Sequence, residues 1–112
     1  MNPKISIVLP CRDEENAIEF CLKQIFSVIK SHNLDAEVIV SDSSSDKSSE
    51  IASKFDVVLV KHDKIGYGNA YLEGFKAACG EYIIMGDCDG TYDFRNIPRF
   101  VKVLDSGADF VM

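Results

Sequence analysis

No apolar stretch in these 112 residues approaches the roughly 18 needed for a membrane-spanning helix, so none of them is expected to cross a bilayer. The apolar stretch after Met1 closes at Pro10, too early for the apolar region and cleavage site of a secretory signal. The expected setting is cytoplasmic, at the cytoplasmic face of a membrane if the substrate sits in one. Basic residues are scarce: 12 Lys and Arg stand against 18 Asp and Glu, for a formal net charge of -6. Holding nucleic acid through its phosphates needs clustered cations, which excludes that partner class. A phosphate bound by so acidic a chain needs another source of positive charge, and a divalent metal ion is the obvious one. Only two histidines occur, His32 and His62, both in polar surroundings and read as ordinary surface residues. The four cysteines, Cys11, Cys21, Cys79 and Cys88, show neither C-x-x-C spacing nor paired histidines. That argues against a zinc site and leaves reduced thiols. There is no internal repeat, no linker and no low-complexity segment beyond Ser43 to Ser45.

What is present suits one soluble globular domain spanning residues 1–112. A 46% hydrophobic and 27% charged composition excludes extended disorder, and the length allows a single core. Ile5 to Leu9 is a β-branched run closed by Pro10, and Glu14 to Lys30 carries Ile18, Leu22, Ile25 and Ile29 on one helical face. Glu37 to Ser41 predicts a second strand, Ser48 to Lys54 a short helix, and Val57 to Val60 a third strand. A helix from about Asn69 to Cys79, with Tyr71, Phe75 and Ala78 on one side, is expected to stop at Gly80. Tyr82 to Met85 is the fourth strand. Asn96 reads as a helix N-cap with Pro98 in the first turn, and Ile97, Phe100, Val101 and Leu104 face inward. A last strand is expected from Ala108.

Strands apolar on both faces and separated by helices describe an α/β fold, an open, mainly parallel, doubly wound sheet with helices on both faces. The chain stops inside the expected terminal strand, which points to part of a larger domain and to association between copies through that strand. With strand order three, two, one, four, the chain switches direction between strands one and four. Ligands bind in such sheets at the strands' C-terminal ends beside the switch.

Four loops face that point. In Pro10-Cys11-Arg12-Asp13-Glu14-Glu15, Asp13 reads either as a helix N-cap or as a ligand contact, whereas Arg12 gains nothing from a helix N-terminus and suits a phosphate or a base. Asp42 ends strand two, where its carboxylate can accept from a ribose hydroxyl or a base N–H, and Asp46 reads as a plain helix N-cap. Gly66 and Gly68 precede a helix, either as a bare turn or as an approach for an anion. Eleven aspartates in 112 residues make about one D-x-D pair expected by chance, so Asp87-Cys88-Asp89 is informative mainly by position. In an extended segment residues i and i+2 point the same way, and Mg2+ or Mn2+ is commonly held by one or two carboxylates, water and substrate phosphate.

Taken together, the chain resembles the inverting glycosyltransferases of family 2, with the GT-A fold. Val8-Leu9-Pro10-Cys11-Arg12-Asp13-Glu14-Glu15 is similar to that family's opening strand and P-x-x-N-E-E turn, with Asp13 replacing Asn. Glu37 to Asp46 resembles its V-D-x-G-S-T-D loop, one residue shorter and with serines where Gly is common. Gly66-Tyr67-Gly68-Asn69-Ala70 matches its G-x-G-x-A segment, and Gly80 to Asp89 matches the strand leading into its metal motif. Asp93-Phe94 and Ile97 to Phe100 have parallels in the dolichol-phosphate mannosyltransferase-like members. The resemblance implies a nucleotide-sugar-binding half. Pro10, Arg12, Glu14 and Asp42 would surround the nucleoside, Lys64 and Gly68 would lie near the diphosphate, and Asp87 and Asp89 would hold Mg2+ or Mn2+, with Asp87 also touching the donor. The implied substrates are a UDP- or GDP-linked hexose and an acceptor such as a polyprenyl phosphate, joined by single displacement. Any general base and the acceptor groups would lie beyond Met112. Two competing readings are a catalytically incomplete nucleotide-sugar-binding fragment and a receiver-type phosphoacceptor domain. The latter lacks its aspartate directly ending strand three and its lysine ending strand five.

Overall fold

The computed structural model describes residues 2–112. Four strands, β1 (Ile5–Cys11), β2 (Ala36–Asp42), β3 (Val58–Lys61) and β4 (Tyr82–Met85), form one all-parallel sheet in the order β3-β2-β1-β4. Four helices connect and follow them: α1 (Ile18–Ser31), α2 (Ser48–Ala52), α3 (Tyr67–Ala77) and α4 (Ile97–Asp105), the last entered through a 3-10 turn at Phe94–Asn96. This is the expected order and fold class. A receiver-type domain would have β1 between β2 and β3 instead.

The strand period of two divides the core. Ile5, Ile7, Leu9 and Cys11 face one way, with Val38 and Val40 beside them, and α1 covers them with Ile18, Cys21, Leu22 and Ile25. Phe94, Ile97 and Val101 extend that layer under β4. On the opposite face α3 meets Val8, Ile39 and Ser41 through Gly74. A β carbon on Gly74 would lie 2.5 Å from Val8 Cγ1, so the helix sits nearly on the sheet. The inward face of α3 is thus small, Ala70 and Gly74, and not the expected Tyr71, Phe75 and Ala78, which are half-buried.

Other expectations give way for identifiable reasons. Glu14 to Ala17 is a turn, and α1 begins only at Ile18, because the amides of Asp13, Glu14 and Glu15 are bonded to side chains of the loop after β2 and of Ser48 at the start of α2. Asp13 is no helix cap: its φ is 55°, and its Oδ1 accepts from the amides of Ser45 at 2.8 Å and Asp46 at 3.2 Å. Asp46 accepts from the amide of Ser48, the first residue of α2, at 2.9 Å, although Lys47 occupies the cap position itself. Asn96 stands at the N-cap of α4 without a side-chain capping bond, and Asp93 caps the preceding 3-10 turn by accepting from the Arg95 amide. Gly80 does not stop α3, which ends at Ala77. A β carbon there would lie 2.6 Å from the Ser6 amide nitrogen, so close approach to β1 is what requires glycine. Among the described residues no strand starts at Ala108, and association through a terminal strand therefore has no strand to rest on.

Candidate functional site

The C-terminal ends of β1 and β4 open into a cleft of about 460 Å³, lined by Pro10, Cys11, Arg12, Glu14, Ser43, Ile65, Gly66, Tyr67, Ala70, Asp87, Cys88 and Asp89. Two loops build one wall by stitching themselves together. Besides the bonds of Asp13, the Glu14 amide donates to Ser48 Oγ at 2.8 Å, the Glu15 amide to Asp46 Oδ2 at 3.2 Å, and the Lys47 amide to Glu15 Oε2 at 3.3 Å. Much of the acidity of these loops is therefore spent on backbone amides. Glu14 is left to face the cleft.

The opposite wall follows β4. Cys88 is buried and donates to the Pro10 carbonyl at 3.2 Å, pinning the loop after β4 to the end of β1. Its thiol is pushed up by its contact with Cys11 and by burial, so it stays protonated as this bond requires. Asp87 and Asp89 flank it and both line the cleft. Asp87 Oδ1 accepts from the Tyr71 hydroxyl at 3.0 Å, and Asp89 Oδ1 accepts from the amide and hydroxyl of Thr91. Burial and then the charge of Asp89 raise the Asp87 carboxyl, whereas the Thr91 bonds lower that of Asp89. Glu14 is raised by burial first and by Asp89, Asp46, Asp87 and Asp13 after it. Burial pushes the Tyr71 phenol up to about 12, which keeps it a donor.

Of the residues singled out in the sequence, Pro10, Arg12, Glu14, Asp87 and Asp89 converge on this cleft. The other three lie elsewhere. Asp42 is fully buried at the end of β2; its Oδ1 accepts from the Ser44 amide at 3.2 Å, and its Oδ2 has no partner. Lys64 is ion-paired with Glu73 at 2.7 Å along α3. Gly68 lies in the first turn of α3, and it is Gly66, at φ 101°, that turns the chain at the cleft wall. His62 departs from the expected surface role: Nδ1 accepts from the Lys64 amide, and Nε2 is buried without a partner. In the sequence Tyr71 reads only as a helix residue, and Tyr67 only as part of the Gly66 to Ala70 segment that leads into the helix. A hydroxyl reaching from one helix to a loop 16 residues on leaves no local signature.

Among the described residues no group of three or more His, Cys, Asp and Glu is placed to enclose a metal ion. Two carboxylates in one cleft, one of them raised by the other's charge, nonetheless suit a hard divalent cation that takes its remaining ligands from water and substrate phosphate. All four cysteines are free, and no helix among the described residues is long and apolar enough to cross a membrane.

Comparison with known proteins gives this site a context. The model of the family described as glycosyl transferase family 2 matches residues 6–112. The low-salt glycan biosynthesis hexosyltransferase Agl6 of Haloferax volcanii is 39% identical over 111 residues, covering 98% of this chain and 27% of the relative. Dolichol-phosphate mannosyltransferase of Pyrococcus furiosus is 27% identical over 114 residues, covering 97% and 32%. The chain thus spans about a quarter to a third of the length of these relatives. Among solved structures, glucosyl-3-phosphoglycerate synthase of Mycobacterium tuberculosis, in complex with Mn2+, UDP-glucose and phosphoglyceric acid, superposes with a TM-score of 0.78. Its identity is 27%, covering 94% of this chain and 40% of the other.

Proposed function

This chain belongs to glycosyl transferase family 2, and on that premise we propose that its cleft binds the nucleoside diphosphate of a UDP- or GDP-linked hexose together with Mg2+ or Mn2+. One observation carries the proposal. Glu14, Asp87 and Asp89 line a single cleft at the C-terminal ends of adjacent parallel strands, where burial and then the charge of Asp89 raise the Asp87 carboxyl and a bound cation would favour its ionised form. Asp87 and Asp89 are the ligands in this reading. Held there, a divalent ion would supply Lewis-acid stabilisation of the departing diphosphate.

The chain's own groups do the rest. Arg12, exposed at the cleft, contributes a planar cation to the nucleoside or its phosphates. Pro10 and Glu14 form the wall against which the nucleoside rests. Asp42 Oδ2, buried and unpaired, supports a role as acceptor for a base N–H or ribose hydroxyl once the neighbouring Ser43 and Ser44 yield. Lys64 and Gly68 act through the loop they flank, since Lys64 is held by Glu73. Transfer is then a single displacement: an acceptor oxygen bonds to the anomeric carbon, and the bond from that carbon to the diphosphate oxygen breaks with its electron pair. A polyprenyl-phosphate acceptor, the class named for the Pyrococcus relative, arrives as an anion and needs no general base. Acceptor choice and turnover belong to the whole protein in this reading.

Titration calorimetry with UDP and GDP, with and without Mn2+, tests the proposal. Metal is expected to strengthen binding of one nucleotide, and the double change Asp87→Asn, Asp89→Asn to abolish that gain. Binding indifferent to metal would sink the reading.

A further inference from the structure

Tyr71 lies outside every motif that identifies the family, yet its hydroxyl makes the side-chain hydrogen bond found on Asp87, at 3.0 Å. Resting on the cation role proposed for Asp87, we infer that Tyr71 is a positioning residue: it fixes Oδ1 of Asp87 so that Oδ2 is presented to a divalent ion in the cleft.

The geometry behind this is set by the packing of α3 on the sheet. Gly74 lets α3 sit on Val8, and the Ser41 hydroxyl donates to the Ala70 carbonyl at 2.6 Å, so the helix is fixed in height and rotation against β1 and β2. Tyr71, next to Ala70, is half-buried and held in a ladder of rings. Its centroid lies 5.5 Å from that of Tyr67 on one side and 5.9 Å from that of Phe75 on the other. A ring confined in this way loses little freedom when its hydroxyl bonds. The bond joins α3 to the loop after β4, two elements that share no strand pairing. A carboxylate with one oxygen tied and the other free is prepared for monodentate binding, and groups that orient metal ligands commonly set metal affinity by ten- to a hundredfold.

The test compares nucleotide affinity with and without Mn2+ in the 112-residue chain, for the wild type, Tyr71→Phe and Phe75→Leu. The ratio of the two affinities isolates the metal's share of binding. Tyr71→Phe is expected to lower that ratio by on the order of tenfold while leaving metal-free affinity unchanged. Phe75→Leu, which disturbs the same ring ladder without contacting Asp87, is expected to leave the ratio unchanged. An unaltered ratio in Tyr71→Phe overturns the inference. So does a fall in both affinities together, or an equal fall in Phe75→Leu, since each marks a packing role. Loss of metal dependence in the wild type strikes the proposed function itself and is recognisable as such, because it precedes any substitution.

Discussion

The Asp87 carboxyl is held above its ordinary range by burial and by Asp89, while Thr91 holds Asp89 below its own. Folded Asp87 therefore binds its proton more tightly than the unfolded chain does, and ionising it costs stability as pH rises through the window between the two values. Asparagine at 87 removes that cost and keeps an oxygen for Tyr71. Asp87→Asn is thus expected to melt higher than the wild type at pH 7 without metal, by an amount up to about 1 kcal/mol, since solvent screens partly exposed carboxylates. The difference should close at about pH 3, where both states are protonated; thermal melts at the two pH values check this. Mn2+ with its preferred nucleotide should reverse the order. At a hundred times the dissociation constant, ligand adds about 2.7 kcal/mol to the wild type, and the asparagine variant should gain little. Asp13, Glu15 and Asp46 look in the sequence much like Glu14, but they are bonded to amides across a gap of about thirty residues that no local pattern records.

Element by element, two glycines distinguish pattern from packing. Gly80 follows a helix and reads as its stop, but the space it leaves is filled by the backbone of Ser6 and Ile5. Gly74 lies inside a helix, where propensity alone would favour alanine by about 1 kcal/mol. Alanine at 80 meets main chain that cannot yield, whereas alanine at 74 meets the side chain of Val8 and gains helix propensity in return. Gly80→Ala is expected to cost about 2 to 3 kcal/mol and Gly74→Ala less, as read from the midpoints of urea denaturation. Strand positions were legible because β-branched runs between polar loops have few other solutions. The start of α1 was not, because its first expected turn is diverted into bonds with Ser44, Ser48 and Asp46.

At the scale of the molecule, the core on the α1 face takes in three of the four thiols. Cys11, Cys21 and Cys88 are buried, and Cys79 is exposed beyond α3. A thiol reagent should therefore label one cysteine per native chain and all four in denaturant, with mass spectrometry placing the first label on Cys79. Labelling of Cys88 in the native state would show that the loop carrying Asp87 and Asp89 opens readily. The sequence by itself determined the α/β class and the family, because hydrophobic period, loop chemistry and the order of motifs are local and additive along the chain. Only the tertiary structure decided which acids are free to bind a ligand, that Asp42 is sealed beneath its loop, and that Tyr71 reaches Asp87. Those outcomes depend on which groups meet across the sheet and how closely, and residue type and spacing do not encode such distances.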